Sequence, residues 1–218
     1  MFAFSAQLGE IVNPLVRGPR LPERYHRRSP CQIVRMASTE RPRRPAHPWA
    51  TATAALTATH HGFELATGVG LVLQPELGLA GSGAFWGLQL PVWLVLASRR
   101  GGRGDPLLAA WSGAALAGAV VHFVLWPVRR NRFGIPVLAE AEGLDGVGLS
   151  AYNTILYAWG ATAALSILVD IPRGRRRWAL VGLATLPLQR FSAARHFTWL
   201  AGQAAEAPAW WNRAVRSA

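Results

Sequence analysis

Clusters of arginine cut this chain into apolar blocks, most of them about as long as a bilayer is thick, and that alternation limits the possible folds more than any other feature. A hydrocarbon core about 30 Å thick takes roughly 20 helical residues to cross. Within it only helices and closed barrels satisfy every backbone polar group. Blocks at residues 49–73, 79–98, 107–128 and 149–171 have the required length. A fifth, at 178–205, is apolar for its first part and then admits Gln189, Arg190, Arg195 and His196. Its polar positions Thr185, Gln189, Ser192, His196, Trp199 and Gln203 recur at steps of three and four, the stripe of an amphipathic helix. The pattern predicts an all-α, multi-pass membrane bundle over residues 49–205, with five spans or four spans and one interfacial helix. A basic segment at 1–48 precedes it and a short tail at 206–218 follows.

The basic segment carries arginines and prolines in a composition that cannot bury a core, and it is expected to be disordered. Met36 opens a short polar lead into the first block, which makes it a possible true start of translation. Cys31 is the single cysteine, so an internal disulfide or a cysteine-built metal cluster within one chain is excluded. All 23 basic residues are arginine, against 11 acidic ones, for a formal charge of +12. They sit at the ends of apolar blocks and not along one amphipathic face, so the excess reads as positive-inside topology and not as a nucleic-acid surface. Clusters at Arg41 to Arg44, Arg99 to Arg103 and Arg173 to Arg177 outweigh Arg129, Arg130 and Arg132. The expected location is a bacterial plasma membrane, with the N-terminus cytoplasmic and the bilayer itself as partner.

Against this apolar background the first block stands out, because between Trp49 and Leu73 its only strongly polar side chains are His60, His61 and Glu64. An ionisable side chain at the centre of a spanning helix costs roughly 2.5–3.5 kcal/mol on insertion scales, so it is expected to face a bundle interior and find a partner. Thr53, Thr57, His60, Glu64 and Thr67 fall on one helical face, with His61 on its edge and read as a packing residue. At about 1.5 Å of rise per residue, His60 lies about 15 Å and Glu64 about 21 Å from the cytoplasmic helix end. The same arithmetic places His122 at about 24 Å, and Arg190 and His196 at about 19 and 28 Å. Asn153 and Tyr157, on a helix running the other way, come about 6 and 12 Å below the outer boundary. Independent helices thus bring polar residues to similar heights.

Those heights nominate Glu64, His60, His122, Tyr157, Arg190 and His196 as a chemical centre, with Asn153, Gln89 and Gln189 as substrate contacts. His60 and Glu64 at i, i+4 project to one side, and with His122 and His196 they are the candidate metal ligands. No Gly-rich phosphate loop and no G-x-S-x-G elbow is present. Three readings compete. One is acid–base or metal-assisted chemistry on a lipid-soluble small molecule, in which Arg190 pairs with Glu64 or holds developing negative charge. Another is a haem b or quinone protein with histidine axial ligands. The last is a non-catalytic transport or assembly subunit whose polar stripes specify packing. The first is the working expectation, and no cofactor is required by the sequence.

Overall fold

A computed structural model describes residues 46–99 and 101–217. Residues 1–45 of the basic N-terminal segment, with Met36 and Cys31, lie outside the described residues. The chain is mostly helical: α1 (Pro48–Thr67), α2 (Gln74–Ser98), α3 (Asp105–Leu125), α4 (Gly146–Leu165, extended by a π-helical turn over Ser166–Asp170), α5 (Ala179–Leu183) and α6 (Leu186–Glu206). Between α3 and α4 a short antiparallel hairpin pairs β1 (Val128–Arg130) with β2 (Pro136–Leu138), an addition to the all-helical expectation. Asn131 shapes its turn, its side-chain oxygen accepting from the backbone N–H groups of Phe133 and Ile135 at 2.9 and 3.0 Å.

Among the described residues, three helices are long and apolar enough to cross a membrane: α2, α3 and α4 with its π turn. Helices α1 and α6 have 20 and 21 residues but a more polar make-up, and the block expected to run unbroken over 178–205 is interrupted. It begins as a 3-10 turn (Arg173–Trp178), bends after the short α5, and restarts as α6 with Pro187 in its first turn. Proline lacks the N–H that a continuous helix would need there.

The first helix is also shorter than its apolar block. Gly68 adopts a left-handed φ of 90° and closes α1, and the N–H groups of Gly68 and Val69 both return to the Glu64 carbonyl at 3.1 and 2.8 Å. That glycine stop precedes Pro75, which lies in the first turn of α2. The threonines of α1 bond back to carbonyls one turn earlier, as Thr53 does to Trp49 at 2.8 Å and Thr57 to Thr53 at 2.9 Å, so their hydroxyls need no water. At the other end Asp170, from the π turn of α4, accepts the Ala50 N–H at 2.8 Å and satisfies one of the free donors at the helix start.

Helix α3 is the axis of the core and the most deeply buried of the three apolar helices. Small residues let its neighbours close in. Gly113 and Gly182 lie where α3 and α5 cross, and a Cβ at Gly182 would collide with the Ala110 carbonyl oxygen. The Ser112 and Ser166 hydroxyls bond to each other at 2.8 Å between α3 and α4, so two buried polar groups satisfy one another. Helix α2 is the opposite case: Phe85, Leu88, Val92 and Val95 are exposed along it. At the far end of the bundle the C-terminal segment folds over the end of α1, where the Arg213 guanidinium donates to the Ala66 and Thr67 carbonyls and the Ala214 N–H to that of Gly68.

Candidate functional site

Four buried side chains from α1 and α3 meet in the interior. Glu64 is the hub: its Oε1 lies 3.2 Å from His60 Nε2 and 3.9 Å from His122 Nε2, and its Oε2 is 3.1 Å from His61 Nδ1. Helical spacing explains the first and third contacts, since residues three and four apart share a face. His61, expected to be a packing residue, is therefore a direct partner of the carboxylate, and its ring also lies against Trp86 of α2 with centroids 3.9 Å apart. His122 reaches the hub from α3. Its Nδ1 is 2.7 Å from the Gly118 carbonyl oxygen, an acceptor, so Nδ1 carries the proton and donates it there. In neutral His122 that leaves the Nε2 lone pair turned toward Glu64.

The His60 ring lies nearly parallel to those of Trp159 and Tyr152, at centroid distances of 4.7 and 5.5 Å. Trp159 is fixed in turn by its Nε1–H donating to Thr57 Oγ1 at 2.9 Å, and it lies where a side chain on Gly118 would stand.

Two residues that the sequence pattern did not nominate complete the cluster from behind. The Tyr152 hydroxyl is 2.9 Å from Glu64 Oε1 and 3.0 Å from Glu142 Oε1. Glu142 comes from the loop before α4, where charged residues read as solvated, yet it is 2% exposed. The hairpin arm carrying it folds inward because Asn153 grips Leu138, accepting from its N–H at 2.8 Å and donating to its carbonyl at 3.4 Å, while Tyr157 donates to the Pro136 carbonyl. Glu142 itself takes a left-handed φ of 56° beside Gly143, whose Cα packs against the Ala214 backbone. The Glu142–Gly143 pair was the one local sign of such a turn. Burial, reinforced by the Glu64 carboxylate, pushes the Glu142 carboxyl well above its ordinary range. The proton count agrees: Tyr152 has one hydrogen for two carboxylates, so the second contact is satisfied when Glu142 carries a proton and donates it to the tyrosine oxygen.

The remaining nominated residues divide. His196 and Gln189 of α6 and Gln89 of α2 line, with His60, Glu64 and His122, one apolar cavity of about 370 Å³. His196 Nε2 is 3.3 Å from the Val69 carbonyl oxygen, and Gln189 donates to the Ala114 carbonyl and to Thr185 Oγ1 at 3.0 and 2.7 Å. Asn153 and Tyr157 are not in the cavity, because both are spent holding the hairpin arm, and Tyr157 is 39% exposed. Arg190 is exposed on the outer face of α6 and takes no part in the ion pairs of Glu64, whose partners are histidines. Height along a helix, which nominated Tyr157 and Arg190, does not say which face of that helix turns inward.

The donor set is one that can hold a metal. One ligand atom each from His60, Glu64 and His122 lie within 4.8 Å of one another. Ligand atoms about 2.0–2.2 Å from a tetrahedral zinc sit roughly 3.3–3.6 Å apart. The separations of 3.2 and 3.9 Å from Glu64 Oε1 straddle that figure, so a small rotation of His122 would close the set. The His60 ring is too close to those of His61 and His122 to flank a porphyrin with either, the centroids being 4.9 and 5.0 Å apart. The chain matches no protein-family model, no curated protein and no solved structure.

Proposed function

We propose that this chain is a multi-pass membrane enzyme in which His60, Glu64 and His122 hold a divalent metal ion at the end of an apolar cavity, where it acts on a lipid-soluble molecule. The observation that carries the reading is the His122 imidazole: its Nδ1 is committed to the Gly118 carbonyl, and its Nε2 faces a carboxylate oxygen that a second histidine approaches to 3.2 Å. A divalent cation between that nitrogen and that oxygen would be held by both. A backbone carbonyl behind a ligating histidine is also the usual arrangement for fixing its tautomer.

Three protein ligands would leave a coordination position open, as catalytic sites do, and all three residues line the cavity. When bound, the metal would supply Lewis acidity toward an oxygen of the substrate. The chain's residues supply orientation. His61 fixes Oε2 of Glu64, Tyr152 fixes Oε1, and the aromatic walls exclude water. In this reading α1 and the α5–α6 pair accompany the three apolar helices through the bilayer, their polar faces turned to the shared interior, and the N-terminus is cytoplasmic.

The test is metal analysis of detergent-purified protein, with spectra recorded on the same sample. The expected result is a first-row divalent ion at near one equivalent, lost in His122→Gln and in Glu64→Gln while both variants stay monodisperse. Absence of metal after reloading the wild type with zinc, manganese and ferrous iron would overturn the reading. A Soret band would replace it with the haem alternative.

A further inference from the structure

The cavity is not sealed. Its inner end is formed by the buried cluster, but its lining also includes Phe85 and Leu188, which are 42% and 67% exposed. These two, with Gln89 and Ser192, belong to facing stretches of α2 and α6, so the opening lies between those helices on the side of the bundle. It is continuous with the exposed apolar face of α2, the helix with the smallest buried share among the three that can cross a membrane. Helix α2 is kinked at Gly78, and Phe85 lies about 10 Å into the continuous stretch 79–98, so in a crossing helix the opening faces the hydrocarbon and not the headgroups.

Size sets what can enter. At the roughly 30 Å³ that a water molecule occupies in the liquid, 370 Å³ holds about a dozen non-hydrogen atoms. A membrane lipid is much larger than that. Its polar end and first carbons would fill the cavity, and the rest of its chain would have to leave through the same side opening.

We infer that the gap between α2 and α6 is a lateral portal through which a single-chain amphiphile enters from the bilayer, its oxygen-bearing end reaching the His60, Glu64 and His122 cluster while its tail stays in lipid. The inference rests on the proposed function for the role of the cluster, but the portal is defined by the cavity and its exposed rim. Ser192, half-buried in the lining on the α6 side and not a member of the cluster, is the position chosen to block it. Thr198, exposed on the same helix and outside the cavity lining, is a matched control.

The experiment uses the full chain in lipid nanodiscs with a fatty acid carrying a diazirine near its carboxyl end and a terminal alkyne. Irradiation should label peptides that contain cavity-lining residues of α2 and α6. Ser192→Trp should lower that labelling roughly tenfold, while Thr198→Trp leaves it unchanged, both variants remaining monodisperse. Labelling that is insensitive to Ser192→Trp, or confined to the outer face at Leu88 and Val92, would overturn the portal. Metal content measured on the same samples separates the two claims. Portal-dependent labelling without metal leaves the portal standing and removes the metal centre, and metal without labelling does the reverse.

Discussion

Tyr152 illustrates how much at the residue scale depends on one atom. Its hydroxyl bridges two buried carboxylates, Glu64 and Glu142, with His122 Nε2 3.9 Å from each. Tyr152→Phe keeps the ring and its contact with His60 but strands the Glu64 acceptor and the Glu142 carboxyl that the hydroxyl joined, at a cost of about 1–3 kcal/mol. At about 2–4 °C per kcal/mol for a chain of this size, the melting temperature followed by tryptophan fluorescence in detergent should fall by several degrees. An unchanged melt would mean that a water can take the place of the hydroxyl. The sequence made Glu64, His60 and His122 visible because a polar group in an apolar helix has few explanations. It hid Tyr152 for the opposite reason, since a tyrosine near a helix start is unremarkable. The stripe through Asn153 and Tyr157 also drew attention to a face about 100° away from Tyr152.

Among the secondary-structure elements, close helix contacts give the sharpest contrast between glycines that are needed and glycines that are not. Gly182 at the α3–α5 crossing has the Ala110 carbonyl in the space a methyl group would take, whereas Gly62 on α1 has nothing within 4 Å. Gly182→Ala should cost at least the 1–3 kcal/mol typical of overpacking. Gly62→Ala should gain up to about 1 kcal/mol from helix propensity. Comparing the two melting temperatures with wild type tests this, and equal effects would show that the α5 contact is loose. The positions of the helices were legible in their apolar blocks, while their ends were not. Gly68 stops α1 before Pro75 can, and the inward fold of the hairpin arm depends on a tertiary grip by Asn153 that no local pattern announces.

For the molecule as a whole, the arginine clusters fix an expected orientation that accessibility can test. Phe133, 69% exposed at the hairpin tip, should be on the external side, and Arg103, between α2 and α3, on the cytoplasmic side. With Cys31 replaced, Phe133→Cys should react with an impermeant maleimide in intact cells and Arg103→Cys only after permeabilisation. The reverse pattern would invert the topology and with it the side of the membrane nearest the cluster. The hold of Arg213 on the carbonyls of Ala66 and Thr67 has a consequence for the making of the protein. The residues that finish the end of α1 follow it by some 146 positions, so they leave the ribosome only after every intervening helix has been synthesised. During biogenesis the last carbonyls of the helix that carries Glu64 therefore wait for that cover until α6 has been made.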